Sequence, residues 1–304
     1  MQTDYRSITL LVTTGAGSGM GGRVAPEVAE LLRASFPQAE LAVVETRSKE
    51  HIQEVGRTST DDLIICLSGD GSIHDLAQTL VRRSSEKRPT LASIPAGSGN
   101  DYARTLGLPL DPLKAAALLP ECQPLKADVG RVNSTYFLET LSFGVDAAVA
   151  LGTEELRLTT KTRGTLLYAH AAINAILREF SSHQVTVKMA EGEFTLNTLI
   201  LAVQNGPTYG GGFMVAPHAS IVDGMLDMYL ASGIRKPTAL YYLSQMKGGK
   251  HERLKGFSYY RTAQVELEFT EPLPAQCDGE RLEGVSFSVS VVPAALEVLA
   301  RIEN

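Results

Sequence analysis

The sequence predicts an α/β fold in two parts: an N-terminal parallel-sheet domain, then a C-terminal β-rich antiparallel sandwich domain. Three observations carry this. Four short, apolar, β-branched runs at 7–14, 40–46, 62–68 and 90–95 alternate with stretches of helical periodicity. Such βαβαβαβ alternation means a parallel sheet covered on both faces and joined by right-handed crossovers. After about residue 125 the crossover helices stop and alternating strand-like runs take over.

The elements follow in order. SITLLVTT (7–14) is a buried strand stopped by glycines, and 24–35 is a helix with Val24, Val28, Leu31 and Leu32 on one face. ELAVVET (40–46) is the second strand, 51–57 a helix, DLIICLS (62–68) the third strand, 72–83 a helix, and TLASIP (90–95) the fourth strand. A long helix is expected over 154–180, interrupted at Gly164. Around it lie STYFLETLSF, HQVTVKM, FTLNTLILAVQ, MLDMYLA, AQVELEF and VSFSVSVV, which alternate as strands of an antiparallel sheet or sandwich. The expected domains are 1–130 and 131–292, with the tail 293–304 returning to the first.

A chain of 304 residues suits two domains at about 150 residues each. A net charge of −6 argues against a large nucleic-acid groove while leaving local basic patches open. Cys66, Cys122 and Cys277 are far apart, show no metal-type spacing and suit a reducing compartment. The opening MQTDYRSITLLVTTG has no charged region followed by a long apolar one, and no run of about 20 apolar residues could span a bilayer. The expectation is a cytoplasmic protein, monomer or homodimer, that touches a membrane only at its surface.

Three glycine-containing stretches follow predicted strands: GAGSGMGG (15–22), SGDGS (68–72) and PAGSGND (95–101). A parallel sheet brings all three to one edge, where ligands bind. Glycine lets backbone N–H groups approach an anion closely, and a helix N-terminus adds partial positive charge. One such stretch alone is an ordinary turn; three at one edge favour a phosphate site. Ser72 and Ser98 can donate to phosphate oxygens. Asp70 and Asp101 can hold magnesium through water, or can simply cap helices and turns. Two acids beside phosphate cradles fit metal-assisted phosphoryl transfer. Gly17-x-Gly19-x-x-Gly22 with Glu45 also matches a dinucleotide fingerprint, so a nicotinamide-dependent oxidoreductase is the rival, but it leaves SGDGS and GSGND unexplained. No Gly-x-x-x-x-Gly-Lys-Ser/Thr motif is present, which excludes a P-loop enzyme.

Together these stretches resemble the diacylglycerol kinase catalytic-domain family, which includes bacterial lipid kinases and sphingosine kinases. The hallmark Gly-Gly-Asp-Gly-Thr with an acid three residues on appears as Ser68-Gly69-Asp70-Gly71-Ser72-Ile73-His74-Asp75. The hallmark Pro-x-Gly-Thr-x-Asn-Asp appears as Pro95-Ala96-Gly97-Ser98-Gly99-Asn100-Asp101. Segments 127–149, 205–230, 248–251 and Cys277-Asp278-Gly279-Glu280 continue the resemblance in family order over nearly the whole chain.

The resemblance implies a nucleotide domain and a β-rich second domain, with the active site in the cleft between them. It implies a magnesium- and ATP-dependent kinase acting on a lipid hydroxyl, such as that of diacylglycerol or a sphingosine-like acceptor, presented at a membrane surface. Carried over by position, the ATP site is Thr13, Thr14, Gly15, Ala16, Gly17, Thr46, Gly69, Asp70, Gly71, Ser72, Ile73, His74, Asp75 and Ser98, with Asn100 in the second hallmark. Asp70 and Asp101 join a water–magnesium network. Asp223, with the carbonyls of Ser220 and Met225, holds a separate structural magnesium. Asp278 is the general base, supported by Glu280; in the sphingosine-kinase variant of the motif the acid matching Asp70 takes that role, so the base is open between them. The chain departs from the family at Thr13, which stands for an Asn, at Ser68 for Gly and at Ser72 for Thr. A third possibility is a non-catalytic nucleotide or lipid sensor, against which the retained acids argue. Among the remaining residues, Arg23 can neutralise phosphate, Tyr209 can line a cleft or pack, His251 can face a headgroup or solvent, and Lys247–Lys255 can contact anionic lipid.

Overall fold

The computed structural model describes residues 5–159, 170–171, 173–175 and 180–301. The chain divides into two units, Met1–Ala127 with Ala294–Asn304, and Asp128–Pro293.

In the first unit β1 (Ser7–Val12), β2 (Glu40–Glu45), β3 (Leu63–Ser68) and β4 (Thr90–Pro95) form a parallel sheet in the order β2-β1-β3-β4. The end of the chain's last strand adds a fifth parallel member, Val298 pairing with Leu91. Central β3 and β4 are buried throughout, which is why they are continuous apolar runs. At the edge, β2 leaves Val43 42% exposed. The crossovers are α1 (Ala16–Ser35), α2 (Lys49–Thr58) and α3 (Asp70–Leu80), followed by α4 (Asp101–Thr105) and α5 (Pro112–Leu118). Ser48 caps α2 by accepting the His51 N–H, and Asp111 caps α5 by accepting those of Leu113 and Lys114.

Strand β1 has β2 on one side and β3 on the other, so the chain reverses its winding direction there. Ligands bind at the carboxyl ends of strands beside such a switch point. The order also differs from the 3-2-1-4 arrangement of dinucleotide-binding folds.

The second unit is antiparallel. Its strands are β5 (Gln123–Val132), β6 (Thr135–Phe137), β7 (Thr140–Gly144), β8 (His183–Met189), β9 (Gly192–Thr198), β10 (Ile200–Gln204), β11 (Thr208–Tyr209), β12 (Phe213–Met214), β13 (Leu226–Ala231), β14 (Phe257–Thr262), β15 (Gln264–Phe269), β16 (Ala275–Cys277), β17 (Glu280–Arg281) and β18 (Ser286–Ala300). β5 and β18 each run from one unit into the other along the chain. One sheet is β14-β13-β10-β7-β16-β17; the other pairs β9, β8, β15 and the start of β18. Their inner faces share one core, in which the rings of Phe143, Phe269 and Phe287 meet at centroid distances of 5.0, 4.9 and 6.2 Å. This is the expected sandwich.

The run 194–204 is not one strand. It breaks at Leu199, whose N–H donates to the Ala231 carbonyl at 2.7 Å, so β9 lies in one sheet and β10 in the other. Helix α6 (Val145–Thr159) starts earlier than the expected 154, directly after Gly144 (φ +78°). Most of the expected helix to 180 lies outside the described residues. A last helix, α7 (Lys236–Met246), carries no strong amphipathic signal and was not expected.

Candidate active site

Three backbone loops converge at the carboxyl ends of β1, β3 and β4. The first leaves β1 at Thr13, whose N–H donates to the Leu67 carbonyl at 3.1 Å. Thr14 and Gly15 are exposed, and Ala16 opens α1. Gly17, Ser18 and Gly19 then take successive left-handed conformations, at φ +56°, +60° and +87°. A Cβ on Gly17 would overlap the Ala96 carbonyl oxygen, so only glycine lets the first and third loops touch. Arg23 reaches back to donate to the Ser18 carbonyl at 3.2 Å.

The second loop is the start of α3, with Gly69 as its N-cap residue. Here Gly69 meets Gly97 of the third loop backbone to backbone, and a Cβ on Gly97 would overlap the Gly69 Cα. Asn100, itself at φ +57°, closes the third loop by accepting the Gly97 N–H at 2.8 Å and donating to the Gly97 carbonyl at 3.0 Å. Its side chain therefore shapes the loop. Ser98 is half-buried at the turn.

Hydroxyls and acids line this junction. Thr46 Oγ1 donates to Thr13 Oγ1 at 3.3 Å, and Thr13 Oγ1 lies 2.9 Å from Ser72 Oγ. This chain of three hydroxyls joins the ends of β1, β2 and β3. Asp70 Oδ1 accepts the Tyr102 N–H at 3.2 Å, which sets it at the start of α4 beside Asp101. Asp101 is 5% exposed, and its Oδ1 lies 3.8 Å from Arg104 Nε. Gly71 is exposed at the helix start, whereas Ile73, His74 and Asp75 turn inward. Asp75 pairs with Lys49 of α2 at 3.0 Å, and His74 faces Gln78 at 3.3 Å. The side chains of Ile73, His74 and Asp75 are buried and pack α3 in place.

The remaining predicted residues belong to the second unit. Asp278 and Gly279 are the central pair of a two-residue hairpin joining β16 to β17, both at positive φ (+48° and +94°), as an Asp-Gly type I′ turn requires. The Asp278 carboxylate accepts three backbone N–H groups, from Leu138 at 2.6 Å, Glu139 at 3.1 Å and Thr140 at 2.9 Å. Glu280 is exposed on β17. Asp223 accepts the Met225 N–H at 3.0 Å and forms an ion pair with Arg261. The positive charge beside Asp223 is thus a guanidinium. No step is derived through a cation shared with Ser220 and Met225. Among the described residues no group of three or more His, Cys, Asp or Glu could hold a metal ion.

Residues 7–132 match the diacylglycerol kinase catalytic domain, and residues 139–300 match the YegS C-terminal NAD kinase beta sandwich-like domain. The chain belongs to the YegS-like lipid kinases of the diacylglycerol kinase catalytic-domain family. A relative from Pseudomonas aeruginosa (strain PAO1), named "Probable lipid kinase YegS-like", is 32% identical over 240 residues, 77% of this chain and 75% of that one. One of the same name from Chromohalobacter salexigens is 30% identical over 238 residues, 77% of this chain and 74% of the other. The solved structure of a diacylglycerol kinase from Bacillus anthracis str. Sterne has the same fold, with a TM-score of 0.79, 22% identity and 98% of each chain covered.

For a YegS-like chain, Asp146 escaped the sequence analysis and His251 stands elsewhere than expected. Asp146 and Tyr209 lie in the wall of an apolar pocket in the second unit, with the Tyr209 hydroxyl donating to Asp146 Oδ1. An acid at the start of a helix looks like any dipole-complementing residue, so nothing local marked Asp146. His251 is fully buried, against the rings of Tyr229 and Phe257 at 5.6 and 5.2 Å, rather than facing a headgroup or solvent. Burial holds its imidazole below the usual histidine range, with Glu252 opposing.

Proposed function

We propose that this lipid kinase uses ATP as donor and a lipid hydroxyl as acceptor. The observation that carries the reading is the junction of three loops at the β1/β3 switch point, where glycine backbones touch and leave N–H groups and hydroxyls to face an anion. The polyphosphate would lie against Thr13–Gly17, the start of α3 and Ser98, with charge stabilised by backbone N–H groups. The donor set fits a hard cation: Asp70 and Asp101 are carboxylates among serine and threonine hydroxyls, and would hold magnesium through water. When bound, it would neutralise charge on the transferred phosphoryl group.

A lipid hydroxyl needs a base to accept its proton as the new bond to phosphorus forms. We assign that role to Asp278, with Asp70 as the competing choice and Glu280 in support. Three backbone N–H groups hold the Asp278 carboxylate in one orientation, as a positioned base requires. The acyl or alkyl chain would enter the apolar pocket of the second unit. Among the described residues no helix is long and apolar enough to cross a membrane, so the acceptor would be taken from a bilayer surface by peripheral contact.

The test is ATP consumption by purified protein with magnesium and mixed micelles carrying diacylglycerol, sphingosine or a polyprenol in turn. Transfer to one of them names the acceptor. ATP binding without transfer to any of the three would favour a sensor. Absence of ATP binding would overturn the reading.

A further inference from the structure

Consecutive peptide groups seat Asp278: the N–H groups of Leu138, Glu139 and Thr140 lie 2.6, 3.1 and 2.9 Å from its carboxylate. Such a seat fixes the carboxylate only as well as the peptides themselves are fixed. Leu138 and Glu139 lie in the link between β6 and β7, outside either strand. All three residues are gripped again, from the end of β10.

Asn205 follows β10 directly. Its side-chain Nδ2 donates to the Leu138 carbonyl at 2.8 Å and to the Asp128 carbonyl at 3.1 Å. Its backbone N–H donates to the Glu139 carbonyl at 2.9 Å, where the Gly206 N–H joins it at 3.2 Å. Gln204, the last residue of β10, donates Nε2 to Thr140 Oγ1 at 2.6 Å. The Thr140 carbonyl in turn accepts the Asp278 N–H at 2.9 Å. Asn205 is 1% exposed and Gln204 is fully buried.

Two features set these amides apart from ordinary packing. Asn205 uses both N–H bonds of one nitrogen on two carbonyls. A hydroxyl has only one O–H to give, and Lys or Arg would bring charge into a buried site. The amide oxygens, Asn205 Oδ1 and Gln204 Oε1, have no hydrogen-bond partner among the described residues. A buried acceptor left so costs stability. What the two amides supply is donation towards 138–140.

We propose that Asn205 is a positioning residue for the reaction, supported by Gln204: together they hold 138–140 so that Asp278 faces the acceptor hydroxyl. The proposal deepens the lipid-kinase reading and rests on Asp278 being its base. Proton transfer needs the base within hydrogen-bond reach of the acceptor O–H, and a displacement of about 1 Å costs on the order of a hundredfold in rate. Gln276 braces the turn itself, accepting the Gly279 N–H at 2.7 Å and donating to Ser142 Oγ at 2.7 Å. Loss of Asn205 therefore loosens the seat while the hairpin that carries Asp278 stays formed.

The experiment compares Asn205→Ala, Gln204→Met and Asp278→Asn with wild type, at a temperature where all are folded. Magnesium-ATP-dependent transfer is measured in mixed micelles carrying diacylglycerol, sphingosine or a polyprenol, ATP affinity by calorimetry, and amide hydrogen exchange at 138–140 by NMR. Asn205→Ala should lower kcat by about ten- to a hundredfold with ATP affinity unchanged. Gln204→Met should lower kcat by roughly tenfold, the scale of one hydrogen bond. Its Tm should stay close to wild type, because Met fills the space and removes an unpaired acceptor. Amide exchange at 138–140 should speed up in both. Asn205→Ala added to Asp278→Asn should take away no further rate, since it acts through that carboxylate. Val265→Ala, a core truncation on β15, should lower Tm and leave kcat alone. Wild-type kcat in Asn205→Ala and Gln204→Met, with turnover lost in Asp278→Asn, would overturn the proposal and leave the base reading standing. Turnover of Asp278→Asn equal to wild type would overturn both. A wild type that transfers to none of the three lipids would sink the kinase reading; amide exchange would then decide the seat, which is overturned if Asn205→Ala leaves it unchanged.

Discussion

At Gly97 the backbone leaves no place for a side chain, because a Cβ there would overlap the Gly69 Cα and stand 2.9 Å from Asn100 Oδ1. Gly97→Ala must push β3 and β4 loops apart or open the Asn100 ring. The expected cost is about 1–3 kcal/mol, as for other overpacked sites, with weaker ATP binding seen by calorimetry; unchanged affinity and Tm would show that the contact is dispensable. Glycines like this were legible in the sequence because the constraint is local: each follows a buried strand and precedes a helix. Asp146 was not legible, since its chemistry comes from residues far along the chain. Its folded-state acid is raised to about 7 by burial against an ordinary value of 3.8. The folded state therefore holds the proton where the unfolded chain has lost it, and stability falls as pH rises from about 4 to about 7. Over that window the loss is on the order of 4 kcal/mol. Asp146→Asn should flatten this slope and make the protein more stable than wild type at pH 8, measured by urea denaturation at pH 5 and pH 8. Parallel slopes in the two proteins would show that Asp146 does not titrate there.

At the scale of elements, the β16–β17 hairpin shows why a motif can be found while its structural duty is not. Cys277-Asp278-Gly279-Glu280 stood out as a chemical signature, yet the same Asp-Gly pair is what a type I′ turn requires. Both duties fall on one carboxylate, which also ties the turn to the chain entering β7. Asp278→Asn faces an amide N–H₂ towards backbone N–H groups, so it should lower stability by about 1–3 kcal/mol. If Asp278 is the base, it should also abolish turnover with ATP affinity nearly intact at a temperature where the variant is folded. Turnover equal to wild type would move the base to Asp70. The four parallel strands were placed within a residue or two, because buried central strands are continuous apolar runs. The break at Leu199 was missed because the continuous apolar run 199–203 hides the shift of the inward positions from Phe194 and Leu196 to Leu201 and Val203, and the partner that forces the change, Ala231, is remote in sequence. Helix α5 was missed because seven residues carry too little periodicity, although Asp111-Pro112 is a helix-start signal.

For the whole molecule the uneven distribution of charge matters most. The chain carries −6, yet residues 235–255 hold Arg235, Lys236, Lys247, Lys250, Arg253 and Lys255 against the single acid Glu252. All six basic side chains are exposed. They sit on and just after α7, whose Ala239, Tyr242 and Met246 wall the apolar pocket while Tyr241 is 56% exposed. The Tyr242 hydroxyl donates to the Lys255 carbonyl at 3.1 Å, so this stretch is tied together. A net-negative chain is repelled by an anionic bilayer at long range, and only a local cationic face reverses that within about 8–10 Å, the screening length near physiological salt. At about 1 kcal/mol per basic residue near such a surface, this face can hold the pocket wall against anionic lipid. The protein should therefore co-sediment with vesicles of phosphatidylcholine and phosphatidylglycerol and much less with phosphatidylcholine alone, and added salt should release it. Replacing Lys247, Lys250 and Lys255 by Gln should weaken binding by about 3 kcal/mol, roughly a hundredfold, while leaving ATP affinity in solution unchanged. Equal binding to both vesicle types would show that the charge of this face plays no part in reaching the lipid. Retained binding by the triple variant would transfer the contact to the apolar rim around Tyr241.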